Sequence, residues 1–197
     1  MIKPTQLLSL QIGIAKSLPV GDPVGESRVL SAIGKTAVAG PVKVQRLGLD
    51  GDEQADLSVH GGLAKAVYAY PSEHYAYWQQ QRQASGLSPD LPFGSMGENL
   101  TLAGLLETDL FVGDEWHFSD CVLRVTQPRQ PCFKFNAVMG DKLAAKKMAQ
   151  TGFCGVYLSV ATPGRLRAGE SFRLIPGSRQ TSILSLFKVS MLKTRHD

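Results

Sequence analysis

Glycine and proline interrupt this chain so often that long helices have little room. Twenty glycines and eleven prolines are spread over its length, and the apolar runs between them are short. Proline fixes φ and removes a backbone donor, glycine loosens the chain, and both end regular elements. Residues 7–14, 42–47, 66–70, 111–118, 122–126, 156–161 and 172–175 read as strands. In the first of these, Leu10, Ile12 and Ile14 alternate with Gln11, Gly13 and Ala15, the period of a half-buried strand. Many short strands separated by turn residues predict a mainly β fold, a barrel or a sandwich.

Helices are few. One is predicted over 71–82, where Pro71 suits a first turn and Glu73 lies at the positive end of the helix dipole. A second covers 141–152, capped by Asp141 and stopped by Gly152. Glu107 to Leu110 starts a short turn. A third, amphipathic helix covers 181–192, with Ile183, Leu184, Leu186, Phe187 and Leu192 as its apolar set. The one candidate boundary lies near residue 177 and divides a domain over 1–176 from a short helical tail over 177–197.

The 197 residues suffice for one core-forming domain. No apolar run approaches the roughly 20 residues of a membrane span, and the first residues lack the pattern of a secretory signal. Three cysteines, Cys121, Cys132 and Cys154, do not suggest a disulfide framework, so a reducing cytoplasm is the expected setting. The net charge of +4 is uneven: residues 1–100 carry 8 Lys and Arg against 9 Asp and Glu, and the rest 13 against 8. That scattered excess suits a phosphorylated ligand or an acidic partner, and it is too dilute for nucleic acid.

Chemistry concentrates in three segments. Gln127-Pro-Arg-Gln-Pro-Cys-Phe-Lys-Phe follows a strand, and its prolines are expected to prevent ladder pairing and stiffen the chain. They hold Cys132 beside Arg129 and Lys134, and nearby cations favour the thiolate, which acts as nucleophile or metal ligand. The plainer alternative is a small buried hydrophobe, the reading that also suits Cys121 and Cys154. In Val59-His-Gly-Gly with Lys65, backbone amides beside His60 and Lys65 could receive an anion, or form only a glycine turn. In Phe93-Gly-Ser-Met-Gly-Glu-Asn, Glu98 and Asn99 could bond a heterocycle or simply brace a bend. The acidic run Asp50, Asp52, Glu53, Asp56 lacks the twelve-residue calcium-loop pattern. Nucleotide-loop motifs, Cys-x-x-Cys and paired histidines are absent from the sequence.

Taken together, Leu47-Gly-Leu-Asp-Gly-Asp-Glu-Gln-Ala-Asp, Val59-His-Gly-Gly, Lys65-Ala-Val-Tyr-Ala-Tyr-Pro, Phe93-Gly with Gly97-Glu-Asn-Leu-Thr, Val112-Gly-Asp and Thr126-Gln-Pro-Arg-Gln-Pro-Cys-Phe-Lys resemble the MOSC domain over residues 27–176. This is the C-terminal module of molybdenum cofactor sulfurases, here nearest the stand-alone bacterial YiiM type. The sequence departs from the family's compact Phe-Gly-Glu-Asn run by inserting residues 95–97. The resemblance implies a mainly β (α+β) fold around a mixed-strand β-barrel, with a few short helices. It implies molybdenum cofactor (molybdopterin), with Cys132 as metal ligand or sulfur carrier, Arg129 and Lys134 toward the pterin phosphate, and Lys65, His60, Glu98 and Asn99 around the same pocket. His60 would deliver a proton. The implied activity is reduction of small N-hydroxylated bases and related compounds with electrons from a separate flavoprotein, since no flavin or nicotinamide motif is present. The alternative is a cofactor carrier or sulfur-transfer module without turnover of its own.

Overall fold

The computed structural model describes residues 5–20, 27–55 and 61–193. Its strands are β1 (Gln6–Ile12), β2 (Lys16–Pro19), β3 (Arg28–Ser31), β4 (Thr36–Ala37), β5 (Val42–Gln45), β6 (Gly48–Leu49), β7 (Val67–Pro71), β8 (Leu100–Ala103), β9 (Glu115–His117), β10 (Val122–Pro128), β11 (Val156–Thr162), β12 (Gly164–Leu166) and β13 (Arg173–Ile175). The α-helices are α1 (Tyr75–Ala84), α2 (Phe133–Met139), α3 (Ala144–Thr151) and α4 (Ile183–Lys193). The fold is mixed α/β, mostly sheet with few helices. Eight strands form one sheet in the order β13-β9-β10-β11-β7-β8-β1-β4, beside a three-stranded β12-β5-β6 sheet and the β2-β3 hairpin. The sheet is mixed as expected: β7 and β8 run parallel, Ala69 opposite Leu100, joined through α1, while its other ladders are antiparallel. The expected barrel is not closed by any ladder among the described residues. A single bridge, Gln6 opposite Ser171, brings β1 against the segment that leads into β13.

Strand β7 explains where the cores sit. All five of its residues are buried, because both faces of the sheet are covered there. Val67 and Ala69 face a cluster with Leu7, Leu10, Leu100, Trp116, Leu123 and Leu158. Tyr68 and Tyr70, a half-period out of step, face a second cluster with Trp78, Phe135, Met139, Met148 and Phe187. The tyrosine hydroxyls are satisfied in that second layer: Tyr68 donates to the Cys154 carbonyl at 2.9 Å, and Tyr70 to that of Phe153 at 3.1 Å while accepting from Trp78 Nε1. Gly155 makes the close approach possible. Its φ is +64°, and a Cβ there would lie 2.5 Å from the Ala69 carbonyl oxygen.

The expected strands have counterparts, with ends displaced by a few residues. The first helix starts later than predicted, because a 3-10 turn over Ser72–His74 precedes α1. Gly152 ends α3 in the left-handed region as expected. Asp141 is not its cap. The Asp141 carboxylate accepts the Leu143 amide at 2.8 Å, a local turn before the helix starts. Two further expectations are corrected around Cys132. The ladder continues to Pro128, which pairs with Val156 as the last residue of β10, a place where a missing N–H matters least. The residues after Cys132 then coil into α2, with Cys132 itself at the N-cap. The C-terminal helix α4 buries Ile183 and Phe187 in the two cores. No helix among the described residues is long and apolar enough to cross a membrane.

Candidate functional site

The end of β10, the α2 N-terminus and three loops enclose an open cleft, the concave kind of place in which small molecules bind. One wall carries Arg129, Cys132 and Lys134, with Tyr68 and Tyr157 beside them, and Lys65 also lines the cleft. The other carries residues 31–33, Lys35, 52–55, Met96, Gly97 and Asn99. The structure thus brings together five of the residues expected from sequence: Cys132, Arg129, Lys134, Lys65 and Asn99. Glu98 stands behind the wall and does not line it. His60, and with it the proton-delivery role, lies outside the described residues.

Cys132 is half-buried, whereas Cys121 and Cys154 are sealed in the cores. Burial, with Glu170 and Asp120 adding to it, pushes the Cys121 thiol up to about 12. Burial and Glu107 also raise Cys154. Those two are held as thiols, and only Cys132 opens on the cleft.

Arg129 is 4% exposed. Its guanidinium lies over the ring of Tyr68 at 5.3 Å and that of Phe135 at 5.0 Å, and Nη1 donates to Met148 Sδ at 3.6 Å. No carboxylate among the described residues lies within ion-pair distance of it. Burial works against its charge, but Tyr68, Tyr157 and Cys132 beside it more than offset that, and its pKa is raised. The cation is therefore permanent and aromatic-packed, with no carboxylate partner among the described residues. Lys134 sits on the first turn of α2 with Nζ 3.5 Å from the Leu30 carbonyl, and Lys65 Nζ lies 5.8 Å over the Tyr157 ring.

The opposite wall is organised around an ion pair. Asp52 forms a buried ion pair with Lys35, the side chains being 4% and 7% exposed. Its carboxylate also accepts the Gly13 amide at 2.7 Å and Asn99 Nδ2 at 2.9 Å. Asn99 joins three elements: Nδ2 reaches the Gln11 carbonyl on β1 at 3.2 Å, Oδ1 accepts the Tyr68 amide of β7 at 3.1 Å, and β8 begins at the next residue. Glu98 braces the inserted loop. It accepts the amides of Gly94 (2.9 Å) and Met96 (3.1 Å), the Thr101 hydroxyl at 2.8 Å and the Tyr75 hydroxyl. Gly94 has φ +97°, and a Cβ there would lie 2.7 Å from the Lys35 carbonyl oxygen. The loop that starts at Gly94 thus packs directly on the segment that carries Lys35. Burial raises the Glu98 pKa against these hydrogen bonds.

Sequence reasoning missed Lys35, Tyr68 and Tyr157 as cleft residues, and met Asp52 in an acidic run and in the Leu47 to Asp56 motif without giving it a role. Among the described residues no group of three or more His, Cys, Asp and Glu side chains could hold a metal ion by itself. Lys35 stands in no motif, and Tyr68 and Tyr157 read as strand core; only the pairing of β7 with β11 aims them at one place.

Fold and cleft place this chain in a known group: it belongs to the MOSC domain family, whose model matches residues 56–173. It is similar to the protein YiiM of Escherichia coli (strain K12), 36% identical over 163 residues that span 83% of this chain and 69% of that one. Its structure resembles the crystal structure of YiiM from Geobacillus stearothermophilus, with TM-score 0.75 and 32% identity over 96% of this chain and 85% of that one. A protein of Gibberella moniliformis (strain M3125 / FGSC 7600) named "Reductase" is 35% identical over 175 residues, 88% of this chain but 30% of that longer one.

Proposed function

We propose that this protein holds molybdenum cofactor in the Cys132 cleft and reduces N-hydroxylated bases and related small compounds with electrons from a separate flavoprotein. The observation that carries this reading is Cys132 on the wall of a cleft beside a buried arginine that no carboxylate among the described residues pairs. The residues fit such a group. A pterin dithiolene brings sulfur ligands of its own, so one soft protein thiolate suffices and no multi-residue metal cluster is needed. A phosphate would supply a counter-charge for Arg129, which pairs with no carboxylate among the described residues, and Lys134 and Lys65 would add point charges. When bound, the cofactor supplies the redox chemistry. The protein's own part is to present Cys132 from the rigid end of β10, to fix Arg129 between two rings so that little side-chain entropy is lost on binding, and to keep the opposite wall in place through Asn99.

The test is metal and pterin analysis of protein purified from a cofactor-competent host, together with reduction of N-hydroxylated compounds by a supplied flavoprotein. Stoichiometric molybdenum with turnover is the expected result. Protein that carries no molybdenum, or carries it without turnover, removes the reading as a reductase.

A further inference from the structure

Lys35 combines features that an ordinary structural ion pair does not need. It lines the cleft, its side chain is 7% exposed, and its segment lies outside the residues matched by the family model. An ammonium offers three hydrogens. Among the described residues Lys35 Nζ has a single acceptor, Asp52 Oδ1, so the others await an oxygen or nitrogen from the cleft. Asp52 already receives the Gly13 amide and Asn99 Nδ2.

We propose that Lys35 is the proton donor to the leaving oxygen when an N-hydroxylated substrate is reduced in this cleft, an assignment that rests on the function proposed above. The reaction R–NHOH + 2e− + 2H+ → R–NH2 + H2O breaks the N–O bond. The nitrogen keeps the electron pair supplied by the external flavoprotein and takes one proton from solvent. The hydroxyl takes the other proton from Lys35 and departs as water, and Lys35 is reprotonated from solvent through the cleft mouth. The charged groups around it are Asp52 and Glu53 on its own wall, Glu98 behind, and Lys65, Arg129 and Lys134 across the cleft. Burial lowers the Lys35 pKa from the usual lysine range, and Asp52 and Glu98 only partly restore it. The ammonium therefore gives up its proton more readily than a surface lysine, as a general acid must.

The leaving group supplies the test. N-hydroxyadenine needs a proton on its departing oxygen, whereas its O-acetyl ester departs as acetate and needs none. Lys35→Met is expected to keep molybdenum and pterin content, to lose about 100-fold in kcat on N-hydroxyadenine, and to leave the ester nearly untouched. Because Lys35→Met strands the Asp52 carboxylate, Lys35→Met/Asp52→Asn serves as a neutral second variant with the same expected pattern. Asp52→Asn alone should move the basic limb of the pH profile to lower pH, since the carboxylate that raises the Lys35 pKa is gone. In cofactor-free protein, the Lys35 Nζ resonance should titrate below the other lysines and shift on addition of N-hydroxyadenine. Equal losses on both substrates, or undiminished turnover in the double variant, overturn the role of Lys35 while the proposed function stands. A fully loaded wild type that reduces no N-hydroxylated compound overturns both.

Discussion

The two walls of the cleft handle charge in opposite ways. On the Asp52 wall Lys35 is paired with Asp52, which also takes an amide and Asn99, and Glu53 accepts the Ala15 amide. On the Cys132 wall Arg129 is answered by ring faces and a thioether, which pack a cation without neutralising it. Removing a partner from the first wall strands a buried charge, which is strongly destabilising. Removing Arg129 breaks no ion pair among the described residues. The first wall therefore ties its ion pair into the fold and leaves only the Lys35 hydrogens toward the cleft, whereas the second holds a whole charge toward a ligand.

The sharpest way to break this contrast is Cys132→Ser. We expect the fold to survive and activity to vanish, because oxygen is a harder and poorer ligand for the proposed centre than sulfur; thermal unfolding and turnover are measured side by side. Undiminished turnover would remove Cys132 from the chemistry. Asp52→Ala should cost about 3–5 kcal/mol in urea unfolding, the usual penalty for leaving a buried partner charge alone. A loss well under 1 kcal/mol would mean that this wall is not structural.

Arg129→Ala should do the reverse. Cofactor retention should weaken by about 1.5–3 kcal/mol, the scale of a lost charged hydrogen bond, while the loss of stability stays smaller than that of Asp52→Ala. Titration of apo-protein at low salt reads the first quantity, and equal affinity would assign the arginine to the fold. The smallest effect is expected at Glu98. Its folded pKa is raised, so its contribution to stability is present below the ordinary carboxyl pKa and is lost as pH rises through the folded value. Wild type should lose stability over that window, and Glu98→Gln should flatten the slope. Identical pH profiles for the two proteins would place the Glu98 carboxyl at its ordinary pKa.

How legible each wall was in the sequence follows the same division. The Cys132 wall is local: two prolines, a cysteine and two cations within eight residues announce themselves. What stayed hidden there was how Arg129 is held, since Tyr68 and Phe135 come from β7 and α2. The helix α2 itself was missed because Cys132 is not a helix-capping residue type and Phe133-Lys-Phe reads as a strand continuing. The opposite wall is assembled across distance. Lys35 and Asp52 have no common motif, and Asn99 reads as a turn residue until Gln11, Tyr68 and Asp52 are seen around it. Short strands such as β8, and the β2-β3 hairpin, escaped because they are defined by their partners more than by their own pattern.

The strand order also sets when the cleft can exist. Strand β11 lies between β10 and β7, although it follows both in the chain. Until it is synthesised, the ladder that ends at the Cys132 wall and the ladder that carries Asn99 are separate pieces with no hydrogen bonds between their strands. Docking of β11 joins them and brings Tyr157 into the cleft in the same event. The cleft wall that carries Tyr157 is therefore completed only when β11 has docked between strands that precede it in the chain.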